Sequence, residues 1–153
     1  MDKQKTLLLL EKTWKEFKES FAGLSDAQLT QAGVSVDWSV KDILAHVSTW
    51  EEEALKYLPV ILQGKTPPRY RNLYGGIDPF NAQMTARKSS LSLSEILKQL
   101  DETHRRLINY LKSIPEDQFT QNTRFSRRLR ADALSHYPLH AKAIHVWSGQ
   151  FSQ

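Results

Sequence analysis

Apolar residues recur at alternating three- and four-residue steps along most of this 153-residue chain. That spacing is the period of an α-helix with one buried face. Leu7, Leu10, Trp14, Phe17 and Phe21 make the first such stripe. Ile43, Leu44, Val47, Trp50, Ala54, Tyr57, Leu58, Ile61 and Leu62 make the second. Leu93, Ile96, Leu97, Leu100, His104, Leu107, Ile108 and Leu111 make another. No segment alternates at period two for long enough to predict a strand.

Local signals divide the stripes into helices. Asp2 is placed to cap the first, and Gly23 falls where it would stop. Ser25 to Gly33 reads as a polar connector with at most one helical turn. Ser39 with Asp42 forms a capping-box pattern that opens the second helix, with Trp38 before it as a hydrophobic staple. Pro59 falls inside that stripe and Gly64 terminates it. Residues 65–77, with Pro67-Pro68 and Gly75-Gly76, read as a loop. Asp78-Pro79 predicts a third helix start, with Asp as the cap and Pro at the first helical position. Ser92 with Glu95 predicts a break near residue 90 and a restart running through Leu111. Residues 115–128 read as irregular, and a last helix runs from about Leu129 to Gly149. The expectation is therefore all-α: a four-helix bundle, one domain over residues 1–153, with one long loop between helices two and three.

Composition narrows the function classes. A chain of this length can bury about 70% of the surface that its unfolded form exposes, so it needs no staples. It has no Cys, which excludes disulfides, thiolate zinc fingers, iron–sulfur clusters and cysteine nucleophiles. The formal charge of +4 permits an anionic ligand or a weak DNA contact and demands neither. The run Leu7 to Leu10 is too short for a signal segment or a membrane span, so no membrane partner and a cytoplasmic location are expected.

Five histidines supply the clearest chemistry. His136 and His140 are four apart on the last helix, about 40° apart around its axis, so both rings leave one face a turn apart. That spacing suits two imidazoles on one metal ion. It is equally the spacing of two hydrogen-bonded core histidines. Asp132 lies one turn earlier on the same stripe, as a further ligand or an orienting carboxylate. His46 sits where the second helix should face the core and offers a third imidazole, with Glu53 on its face as a base, ligand or orienting group. His145 is rotated about 180° from His136 and is left out. His104, flanked by Arg105 and Arg106, reads as a partly buried or rim residue. Pro138, between the paired histidines, is expected to bend the helix. Arg124, Arg127, Arg128 and Arg130 form a basic cluster without any nucleic-acid-binding signature.

The stretch Trp38-Ser39-Val40-Lys41-Asp42-Ile43-Leu44-Ala45-His46-Val47, followed by Trp50-Glu51, resembles the second-helix signature of the DinB-like four-helix-bundle superfamily. With Asp78-Pro79-Phe80-Asn81 and His136-Tyr137-Pro138-Leu139-His140, the chain most resembles its ClbS/DfsB branch. The resemblance implies an up-down-down-up bundle, commonly a homodimer, and a divalent ion held by three histidines. Those roles fall on His46, His136 and His140, and zinc or nickel suits imidazole ligands. It implies a metal-dependent enzyme acting on a small molecule, of hydrolase or thiol-transferase type. The other implied function is ClbS-like self-resistance, in which a genotoxin or DNA is bound without a metal. Such members carry Tyr at the position of His46 and lack the histidine pair, so this chain departs from them at the residues that matter most. No catalytic residue beyond the metal ligands is implied.

Overall fold

The computed structural model describes residues 1–151; the last two residues of the expected 1–153 domain lie outside the described residues. Among the described residues every extended element is a helix, and only an isolated bridge between Ser35 and Trp38 interrupts the helical pattern. The helices are α1 (Lys3–Phe21), α2 (Asp26–Leu29), α3 (Val40–Leu62), α4 (Tyr70–Tyr74), α5 (Ile77–Lys88), α6 (Leu93–Lys112), α7 (Asp117–Thr120), α8 (Arg124–Leu129) and α9 (His136–Ser148). A π-helical segment, Arg130–Leu134, joins α8 to α9, and a short 3-10 turn follows at Gly149–Phe151. None of these helices is long and apolar enough to cross a membrane.

The long helices begin where their caps predict. The Asp2 side chain accepts from the Lys5 N–H, and complete capping boxes form at Ser39 with Asp42 and at Ser92 with Glu95. Each box satisfies two of the backbone donors that a helix start leaves orphaned. Pro59 does not end α3, which continues to Leu62. Gly64, at φ +80°, then takes the left-handed conformation that closes the helix.

Packing joins α3 to α6 and α1 to α9, which gives the four-helix bundle expected from the stripes. Leu10, Phe17, Ile43, Leu44, Leu58, Ile96, Leu100, Leu107 and Leu111 are essentially inaccessible and make one continuous core. The fourth arm of the bundle is not one helix but α8, the π segment and α9 in sequence.

The structure corrects four boundaries. Residues 65–77 are not wholly a loop, because Tyr70–Tyr74 form a helical turn. The helix predicted to start at Pro79 starts at Ile77 with Gly76 as its cap, so Asp78 lies in the first turn without capping it. The stretch 115–128 contains α7 and most of α8. The departure from α-helical geometry near Pro138 lies one turn earlier, in the π segment. The Ser135 N–H donates to the Arg130 carbonyl at 2.9 Å, a five-residue step that widens the helix and ends it. Pro138 then falls in the first turn of α9, where a backbone N–H has no intrahelical acceptor to lose.

Candidate metal centre

His46 points inward from the first half of α3 and is 6% exposed. The Trp38 ring, from the segment that staples the helix start, packs 5.1 Å from it. His136 and His140 leave the first turn and a half of α9, just after the π segment. The Nε2 atoms of His136 and His46 are 3.0 Å apart, and those of His140 and His136 are 2.9 Å apart. One ligating atom from each of the three residues lies within 4.8 Å of the other two, and no other group of three or more His, Cys, Asp or Glu converges this way among the described residues.

These contacts cannot both be ordinary hydrogen bonds. The Nε2 of a neutral imidazole either donates one proton or accepts one, so His136 can satisfy only one of its two neighbours there. A cation between the three nitrogens would satisfy all of them at once. The rings are prepared for that role. Burial, reinforced by His140 and Lys88, lowers His46 to about 3; burial, reinforced by His140 and His46, lowers His136 to about 2; and burial alone lowers His140 to about 4. All three are therefore neutral near pH 7, the form that binds a metal. The donor set, three imidazoles without a carboxylate or thiolate, fits a borderline divalent ion. The His136 Nδ1 is buried without a hydrogen-bond partner.

The other singled-out residues separate. Asp132 is buried beside the site but does not join the three nitrogens; it pairs with Arg128 Nε at 2.5 Å. Burial raises its carboxyl to about 6, with Arg128 pulling in the opposite direction. Glu53 also stays out of the cluster and accepts from the Tyr70 hydroxyl at 2.9 Å. His145 is exposed, as its angular position requires. The basic cluster splits, because Arg128 turns inward while Arg124, Arg127 and Arg130 remain at the surface.

Beside the triad lies a cavity of about 360 Å³, walled by His46 and His136 on one side and by Trp50, Tyr70, Asn81, Arg128 and Asp132 on the others. A larger groove of about 710 Å³ runs between α1 and α6, with Leu7, Leu8 and Ile108 in its walls. It shares no lining residue with the three-histidine cluster.

Sequence reasoning missed a second polar cluster. Glu51 on α3 is fully buried and accepts from Thr103 Oγ1 at 2.7 Å and from the Tyr137 hydroxyl at 2.5 Å. His104 is not a rim residue. It is 6% exposed, stacked on Trp14 at 4.0 Å, with Nδ1 3.0 Å from the Tyr137 hydroxyl and Nε2 2.9 Å from Glu11. The only local signal was an acidic residue on an otherwise apolar face of α3.

The family model described as the DinB superfamily matches residues 9–142. Among solved structures, the sibling lethal factor precursor DfsB superposes with a TM-score of 0.84 at 18% identity, covering 100% of this chain and 98% of that one. The colibactin self-resistance protein ClbS, in complex with a double-stranded DNA, gives 0.77 at 12% identity over 94% and 93%. A protein from Streptococcus pneumoniae gives 0.78 at 15% identity over 97% and 91%. The ClbS/DfsB-type resemblance read in the sequence is thus met in the fold. The comparison with curated proteins finds no significant match.

Proposed function

The chain belongs to the DinB superfamily, and on that premise we propose that it is a metal-dependent enzyme acting on a small molecule, with His46, His136 and His140 as the ligands of one divalent ion. The observation that supports this reading is the approach of three neutral Nε2 atoms that hydrogen bonding cannot satisfy together. Three imidazoles would hold the ion with a position left for ligand, and it would lower the pKa of a bound water or thiol toward neutrality, which suits hydrolase or thiol-transferase chemistry.

The protein's own residues would supply the rest. Trp50 and Tyr70 wall the adjoining cavity and exclude water from one side. Asp132, whose carboxyl burial raises to about 6, stands in the same wall and is placed to exchange a proton with a bound ligand. Zinc and nickel are the ions to test first, and uptake at neutral pH by protein purified without an affinity tag is the test.

A second reading is DNA or genotoxin binding without turnover. The exposed Arg124, Arg127 and Arg130 favour a weak DNA contact. A steep loss of binding as salt rises would support it. The homodimer expectation comes from the resemblance and from Leu8, Leu9 and Leu91, of which Leu8 is 63% exposed on α1. Light scattering at micromolar concentration that gives twice the 17.7 kDa chain mass would support it, and the chain mass itself would refute it.

A further inference from the structure

Arg128 is held by three aromatic rings, its guanidinium carbon 6.0 Å from the Trp50 ring centre, 5.3 Å from that of Tyr57 and 5.7 Å from that of Tyr70. Its Nε donates to Asp132 and its Nη2 donates to the Tyr70 hydroxyl at 2.7 Å. A guanidinium has five N–H donors, and among the described residues nothing receives those on Nη1. Asn81 on α5 meets the same Trp50 ring from another side. The indole Nε1–H donates to Asn81 Oδ1 at 2.8 Å, which fixes the amide and leaves its Nδ2 donors without a partner among the described residues. Arg128, Asn81 and Trp50 all line the cavity beside the triad, with Ile77 and Ala131 as apolar surface.

We infer that this cavity binds a small flat molecule carrying one carboxylate, its two oxygens received by Arg128 Nη1 and Asn81 Nδ2 and its apolar body lying against Trp50. Two donor groups with no acceptor of their own match one carboxylate, and a planar guanidinium is the side chain best suited to it. Asp132 shares the wall, but Arg128 already answers its charge. A cationic ligand would meet that guanidinium without an unpaired anion to offset it. The volume of about 360 Å³ admits a ligand of one ring with short substituents. The assignment rests on the metal-site reading for the cavity being the working site, while the carboxylate contacts themselves need no ion.

The test uses benzoate, with neutral benzamide and cationic benzylamine as comparators, titrated into chelator-treated and metal-loaded protein. Nuclear magnetic resonance of the Trp50 indole N–H and the Asn81 side-chain amide is the readout. Benzoate is expected to shift both signals saturably in metal-free protein and to bind about tenfold tighter than either comparator. Arg128→Gln should remove that advantage. Because it also leaves Asp132 unpaired, Asn81→Asp serves as a second variant; it keeps an acceptor for Trp50 and replaces the free donor with a carboxylate. It should weaken benzoate about tenfold and leave benzamide unchanged. Benzamide binding as tightly as benzoate, an unchanged benzoate affinity in folded Asn81→Asp, or benzoate shifts in metal-loaded protein only would overturn the inference. Absence of zinc and nickel uptake alongside benzoate binding in metal-free protein would instead overturn the metal-site reading alone.

Discussion

The Tyr137 hydroxyl donates to Glu51 Oε2 at 2.5 Å, across 86 positions of sequence, and the carboxylate that receives it is fully buried. Tyr137 stands between His136 and His140 on α9, and Glu51 stands five residues after His46 on α3. The same two helices that carry the three imidazoles are therefore pinned to each other beside them. Burial and the Glu51 charge push the Tyr137 phenol well up, so the proton stays on tyrosine and the donor is permanent.

Tyr137→Phe removes that pin while keeping the ring. A buried hydrogen bond to a charged group contributes about 1.5–3 kcal/mol, and urea unfolding should show a loss of that size. Because the pair fixes α3 against α9 beside the three imidazoles, zinc affinity should also fall. A stability loss with unchanged metal affinity would show that the pair holds the bundle but does not aim the histidines.

Stability of the metal-free protein should fall steeply with acidification. The unfolded histidines titrate near 6.5 and the folded ones at about 3, 2 and 4, so between these values the unfolded chain binds more protons. Stability then rises with pH, by up to about 1.4 kcal/mol per pH unit for each histidine. Asp132 works in the opposite sense below about pH 6, where its raised carboxyl takes a proton first in the folded state, and offsets one of the three. The urea midpoint of chelator-treated protein should drop clearly between pH 6.5 and 5, a window set by the lowered histidines. A midpoint that stays flat there would contradict the burial of three neutral imidazoles.

Within residues 65–77, amide exchange should be uneven. Tyr70 ties α4 to the bundle through Glu53 on α3 and Arg128 on α8, while the residues before it have no regular structure. Amides of 70–74 should be better protected than those of 65–69. Tyr70→Phe should erase the difference by removing two hydrogen bonds, each worth roughly 1 kcal/mol. Uniform exchange across the segment in the unaltered protein would count against the tie.

What was legible in the sequence was local. Ser39 with Asp42 and Ser92 with Glu95 are each decided within one helical turn, and both boxes form. The shared face of His136 and His140 follows from four-residue spacing in the same way. His46 sits 90 residues from its partner; its core-facing place on the second stripe offered a third imidazole, and only the family resemblance joined it to the pair. Contacts between distant positions leave no periodic trace. That is why Glu51 with Tyr137, the contacts of His104 with Tyr137, Glu11 and Trp14, and the inward turn of Arg128 were not foreseen. Gly76 at φ +135° starts α5 by backbone conformation, so Asp78 misled as a cap. The π segment was hidden because one inserted residue in a helix shifts the register without a break in composition.

On our proposal His46, His136 and His140 together hold one divalent ion. The most direct test is zinc and nickel titration of untagged protein at neutral pH, with metal content measured after dialysis, for the unaltered chain and for His140→Ala and His145→Ala. One ion per chain is predicted for the unaltered protein and for His145→Ala. His140→Ala should lose the ion or bind it weaker by several kcal/mol, since two ligands remain of three. No ion on the unaltered protein, or loss of the ion in His145→Ala with retention in His140→Ala, would contradict the claim.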